Sequence, residues 1–156
     1  MTTLSNGLLL MTIAPSTLER LRSAIWPTIE QRYELPRGIL NAIAEWETRG
    51  TWRNDQIGPT GARGIFQLTP IALEQVRQDS GGMRFDPVNP VSASVAAGIL
   101  LKRYLTLFND VALAVAAYNA GEGTIRRYVQ QVKQRGKGTL PRETVQYIPA
   151  VLNNLG

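Results

Sequence analysis

Glu47, Gly58, Gly61, Gly64, Gln67, Tyr118, Asn119 and Tyr147 are the residues of this chain whose types and spacing could do chemistry. Glu47 closes an apolar helical run that begins at Ala42. A carboxyl placed there can be partly desolvated, which raises its pKa and keeps it protonated as a general acid near neutral pH. It can equally be an ordinary solvated charge at a helix end. Glu45, two positions back, points to a different helix face, so the two do not read as a dyad. The three glycines have no strand before them and no Lys-Ser/Thr after them, which argues against a nucleotide loop and for tight turns with close backbone approach to a ligand. Gln67 adds an amide that both donates and accepts, a useful pairing for sugar hydroxyls or acetamides. Tyr118 and Tyr147 could each hold a carboxyl in position or simply fill the core, and Asn119 could be no more than part of a helix stop.

What the composition lacks narrows the chemistry further. The chain has no histidine and no cysteine. Zinc sites of the usual ligand set, Ser-His-Asp triads, Cys-His pairs, haem ligation and disulfide frameworks are thereby removed, and no metal or other cofactor is expected. Acid–base work must rest on Asp, Glu, Lys or Tyr. The net charge is +5, and Arg126, Arg127, Lys133, Arg135, Lys137 and Arg142 crowd one late stretch. Such a surface suits a polyanionic partner or a merely solvated face, and no nucleic-acid-binding motif accompanies it.

These residues need elements to position them, and 156 residues suffice for one domain around one core. Ser16 and Glu19 have capping-box spacing and predict a helix carrying Leu18, Leu21, Ile25 and Ile29, kinked or ended by Pro27. Ile39 to Trp46 predict a second helix ending near Gly50. Residues 49–64 read as irregular chain with a small hairpin, residues 65–78 as a helix, and residues 79–90 as a long surface connection. Ser92 or Ser94 opens a further helix, Asp110 caps an alanine-rich one over Val111 to Asn119, and Thr124 starts the next. Glu143 to Leu155 closes the chain as a helix interrupted by Pro149. The alanine-rich helix, apolar nearly all round, is the expected centre of the core. Residues 1–15 hold an apolar run, Leu8 to Ala14, too short to cross a bilayer and without a preceding basic residue. They read as a leader segment rather than a signal peptide, and no other run reads as a membrane span.

Taken in order, Ala42 to Thr48, Gly58 to Pro70, Ala116 to Gly121 and Glu143 to Pro149 resemble the lytic transglycosylase domain of the soluble (Slt-type) family, related to goose-type lysozyme. The family's pattern is A-x-I-x-x-E-S, then S-x-x-G-A-x-G-L-M-Q-x-M-P, then A-A-Y-N-A-G, then E-T-x-x-Y-V/I-P. The resemblance covers roughly residues 36–152. It implies a mostly α, lysozyme-like α+β fold: a compact helical domain over residues 16–156 with at most a small β-hairpin beside the active-site cleft.

The resemblance also implies roles. Glu47 matches the catalytic acid/base, Thr48 its neighbouring serine, Gly64 and Gln67 the residues lining the sugar subsites, Tyr118 and Asn119 the Tyr-Asn pair, and Tyr147 the late active-site tyrosine. Gly58 stands where the family has a serine that helps hold the substrate acetamide, and Thr69 where it has a methionine. Two extra residues lie between Glu47 and the Gly-Ala-x-Gly run. The implied activity is cleavage of the β-1,4 bond between N-acetylmuramic acid and N-acetylglucosamine with a 1,6-anhydro product; a lysozyme-like hydrolase or a non-catalytic peptidoglycan-binding module are the alternatives. The expected partner is the peptidoglycan glycan strand in the periplasm or cell wall, met by a monomer with no nucleic acid and no stable membrane insertion. The setting suits a phage lysis or virion enzyme, or an accessory exported by another route.

Overall fold

The computed structural model describes residues 12–156, and among them there are seven helices and no named strand. Helix α1 runs without a break through three stretches, Pro15–Arg20, a π-helical turn Leu21–Ile25, and Trp26–Arg32. It is followed by α2 (Ile39–Thr48), α3 (Pro70–Asp79), α4 (Pro90–Phe108), α5 (Val111–Ala120), α6 (Glu122–Arg135) and α7 (Arg142–Leu152). The extended chain contributes isolated antiparallel bridges only, Thr12 with Arg53, Ile57 with Arg63 and Arg63 with Leu68. The mostly helical expectation therefore holds. Of the N-terminal apolar run, Leu8 to Met11 lie outside the described residues, while Ile13 is buried and donates its N–H to the Trp52 carbonyl.

Several boundaries differ from the sequence reading, and proline explains most of them. Pro15 occupies the first turn of α1, so Ser16 lies inside the helix and no side chain caps its start. Pro27 does not end α1. The π turn before it, in which the Trp26 N–H bonds to the Leu21 carbonyl, seats Pro27 in a fresh first turn where a missing N–H costs nothing. Pro70 likewise starts α3 with Thr69 as its cap, leaving Ile65, Phe66 and Leu68 buried in turns rather than helix. Asn89, accepting from the N–H groups of Val91 and Ser92, caps α4 ahead of Pro90, and α6 begins at Glu122, earlier than Thr124. Pro149 sits within an unbroken α7. The carbonyl it leaves unpaired belongs to the solvent-exposed Val145, so water can satisfy it.

Helix α5 is the centre, as its composition predicts. Ala114 to Ala117 are completely buried, and α4, α6 and α7 all pack on it; α7 also packs on α2. Helix α4 is long and apolar enough to cross a membrane by length and composition alone, a candidate that the sequence reading did not name, and eight of its residues are buried inside the domain. At the start of α2 the buried Glu30 carboxylate accepts the N–H groups of Gly38 (3.1 Å) and Leu40 (3.0 Å). That bond ties α2, and with it Glu47, to α1.

Candidate active site

Glu47 occupies the last turn of α2, which stops because Arg49 turns left-handed at φ 54°, one residue before the expected Gly50. Tyr147, on α7, is fully buried and donates its hydroxyl to Glu47 Oε2 at 3.2 Å. Its ring meets Trp46 edge-on at 5.8 Å, and the Arg49 guanidinium lies 4.7 Å from the Trp46 ring centre. Burial raises the Glu47 pKa from 4.5 to about 7, the Tyr147 hydrogen bond opposes that rise, the Glu143 charge adds to it and Arg49 opposes it. A carboxyl poised there can give a proton and take one back near neutral pH. Glu45 is exposed. Burial first, and then the Glu47 charge, push both Tyr118 and Tyr147 well above the usual tyrosine range, so both remain neutral donors.

The facing wall is irregular chain. Gly58 to Leu68 folds back on itself through the N–H of Gly58 to the Ala62 carbonyl and a reciprocal pair between Arg63 and Leu68. Gln67 adopts φ 48°, a left-handed conformation that is uncommon for a residue with a side chain. Its Nε2 donates to the carbonyls of Gln56 (3.2 Å) and Gly64 (3.0 Å), while Gln56 Nε2 donates to the Glu47 carbonyl at 2.8 Å. Tyr118 donates its hydroxyl to the Phe66 carbonyl at 2.7 Å. The wall is thus tied to α2 by Gln56 and to α5 by Tyr118.

Gln67, Thr69, Tyr118, Asn119 and Gly121 line one cavity of about 770 Å³ between α3, α4 and the end of α5. Glu47 and Tyr147 do not line that cavity; Glu47 is linked to its wall through Gln56, which donates to the Glu47 carbonyl and accepts from Gln67, and through the field that couples Glu47 to Tyr118. A second cavity of about 820 Å³, bounded by Arg32, Tyr33, Phe85 and Ile99, contains none of the residues singled out from the sequence.

The family model of the transglycosylase SLT domain matches residues 24–140. The chain belongs to that family. A curated relative, membrane-bound lytic murein transglycosylase D of Escherichia coli K12, is 36% identical over an alignment covering 58% of this chain and 22% of the relative. Among solved structures, an inactive mutant of the lytic transglycosylase Slt from Pseudomonas aeruginosa superposes with a TM-score of 0.71 at 22% identity, covering 86% of this chain and 23% of that one. The 70 kDa soluble lytic transglycosylase of Escherichia coli gives 0.65 at 22% identity, covering 88% and 25%. The chain therefore spans about a quarter of the length of the proteins it resembles.

Within this SLT domain, two residues that the resemblance assigns to the ligand are placed elsewhere. Thr48 is 1% exposed and spends its hydroxyl on the Ala44 carbonyl at 2.8 Å, so it presents nothing to a sugar. Gly64 is buried at φ 78°, and a Cβ there would overlap the Pro87 carbonyl; it lets the wall pack against the 85–88 connection. Gln56, Thr144 and Glu143 were not singled out from the sequence. Gln56 gives no sequence signal, because it lies in the loop with the two-residue excess. Thr144 and Glu143 are part of the late Glu-Thr-x-x-Tyr segment, whose helical spacing puts Glu143 one turn before Tyr147 on the same face.

Proposed function

We infer that this chain is a peptidoglycan lytic transglycosylase with Glu47 as its one acid/base. The observation that carries the reading is one carboxyl that burial raises to about 7, held by Tyr147 and linked through Gln56 and Gln67 to a cavity that Tyr118 and Asn119 also line. Protonated Glu47 donates to the oxygen of the β-1,4 bond, which breaks as the N-acetylglucosamine leaving group takes that proton. The substrate's own acetamide supports the oxocarbenium-like carbon. Glu47, now ionised and still donated to by Tyr147, takes the proton of the muramyl C6 hydroxyl, whose oxygen closes on C1. The enzyme ends protonated, as it began, and one carboxyl serves both steps.

The family membership and the activity for which the relatives are named support this reading, and the exposed basic residues of α6 and the loop beyond it suit an anionic wall polymer in the periplasm. Hydrolysis is the second reading, and one observation favours it: the exposed Glu143 lies close enough for its charge to reach Glu47. Retaining and inverting glycosidases both need such a partner carboxylate. Asp55 does not qualify, because it is held by Arg53 at 2.8 Å. A non-catalytic module would have no use for a raised carboxyl. The reading is tested by incubating purified sacculi with the wild-type and Glu47→Gln proteins: soluble muropeptides are expected from the first alone, and equal release from both would remove Glu47 from the reaction.

A further inference from the structure

Three primary amides, Gln67, Gln75 and Asn119, line the cavity, and Gln75 spends its Nε2 on Asp79 at 2.9 Å. A primary amide has two ends of opposite polarity, and the end shown to a ligand is set by what holds the other. For Gln67 the Nε2 hydrogens go to the carbonyls of Gln56 and Gly64, so the oxygen is its free end. That oxygen lies toward Gly58, where a Cβ would come within 2.7 Å of it.

Asn119 is held the other way round. Thr144, in the first turn of α7, is fully buried, and its hydroxyl lies 2.7 Å from Asn119 Oδ1. Among the described residues that is the hydroxyl's one hydrogen bond. Its proton must therefore go to the amide oxygen, because the reversed amide would leave a buried O–H with no acceptor and its full desolvation penalty. Asn119 Nδ2, which makes no hydrogen bond among the described residues, is left as the end available to the cavity.

We propose that Thr144 is a positioning residue that locks the Asn119 amide with its N–H donors toward the cavity, so that this wall reads an acceptor oxygen of the glycan. The proposal rests on the glycan-cleaving reading above. It gives the cavity one amide of fixed polarity, a donor from α5. Without the Thr144 hydroxyl the Asn119 amide is free to rotate, and a large share of its orientations would oppose oxygen to oxygen.

The test is a binding titration of chitotetraose, an N-acetylglucosamine tetramer, into the Glu47→Gln protein, which binds without cleaving. Adding Thr144→Val is expected to weaken binding roughly 3- to 10-fold, the worth of one hydrogen bond, whereas Thr144→Ser retains affinity. Asn119→Ala weakens binding by a similar factor, and Thr144→Val then adds less than about twofold, because its effect passes through Asn119. Asn119→Asp, which still accepts from Thr144 but has no donor to offer, binds as weakly as Asn119→Ala. Undiminished binding by Thr144→Val, a full additional loss in the Asn119→Ala background, full affinity in Asn119→Asp, or no binding of chitotetraose by the Glu47→Gln parent would each overturn the proposal. Intact coupling in a chain whose wild type releases nothing from sacculi would overturn the proposed reaction and leave the proposal standing.

Discussion

Glu47, Tyr118, Asn119 and Tyr147 stand on helices whose apolar faces build the core, whereas Gln56, Gly58, Gly64 and Gln67 stand on irregular chain. The helical side is held by burial: α5 and α7 pack on one another, α7 packs on α2, and the carboxyl is carried along. The loop side has little regular structure; Ile65, Phe66 and Leu68 anchor it in the core, and side chains reaching backbone, from Tyr118 to Phe66, from Gln56 to Glu47 and from Gln67 to Gln56 and Gly64, set its shape. The difference separates two kinds of preorganisation. Changes at Glu47 and Tyr147 should alter proton chemistry, and changes that loosen the loop wall, from either side, should alter the shape that a substrate meets.

The largest effect expected is on the helical side. Glu47→Gln should lower turnover by about 10²- to 10⁴-fold, measured as muropeptide release. Its stability should move in the opposite sense. The folded pKa of about 7 lies above the ordinary 4.5, so the wild type loses stability as pH rises from about 4.5 through about 7, and the glutamine variant does not. Urea unfolding should show the variant more stable at pH 8, by on the order of 1–3 kcal/mol, and little different at pH 4. A variant less stable than wild type at pH 8 would mean that the carboxylate is well solvated.

Next comes the backbone of the loop wall. Gly64→Ala combines a left-handed φ with overlap on the Pro87 carbonyl and should destabilise by about 2–3 kcal/mol, with substrate affinity falling as the wall shifts. A variant that melts like wild type would show that the wall adapts freely, and the contrast between the two sides would dissolve.

Tyr147→Phe sharpens the comparison further. Activity requires protonated Glu47 at the outset, so the pH profile of kcat/KM should have one alkaline limb near pH 7. The Tyr147 hydrogen bond lowers the Glu47 pKa, so its loss should carry that limb to higher pH while reducing the rate. A limb moving to lower pH would contradict the assignment. The smallest effect belongs to Tyr118→Phe, which frees the Phe66 carbonyl. It should cost about 1 kcal/mol of stability and weaken substrate affinity while the alkaline limb stays within a few tenths of a pH unit.

The same division explains what could be read in advance. Helical periodicity placed Ile39, Leu40 and Ile43 on one face and left Glu47 at its end, and five alanines marked α5 as central; both follow from local spacing alone. The loop wall has no period. Its form comes from Tyr118 meeting Phe66 and from Gly64 meeting Pro87, contacts between segments far apart in the chain. Thr48 shows a related gap: its position beside Glu47 was legible, but not that its hydroxyl turns back to Ala44. Proline was misread for a physical reason, since Pro15, Pro27, Pro70 and Pro90 begin helical stretches here, and at the first turn a missing N–H is no loss. Glu30, a buried charge satisfied by two backbone N–H groups of α2, had no sequence signal at all.

The central claim is that Glu47 alone completes both proton transfers, so that the muramyl C6 hydroxyl, and not water, attacks C1. Mass spectrometry of the muropeptides released from sacculi by the purified chain tests it most directly. Products ending in 1,6-anhydromuramic acid, lighter by one water than the reducing form, are predicted. Reducing muramic-acid ends in their place would contradict it and turn attention to Glu143 as the second carboxylate of a hydrolase.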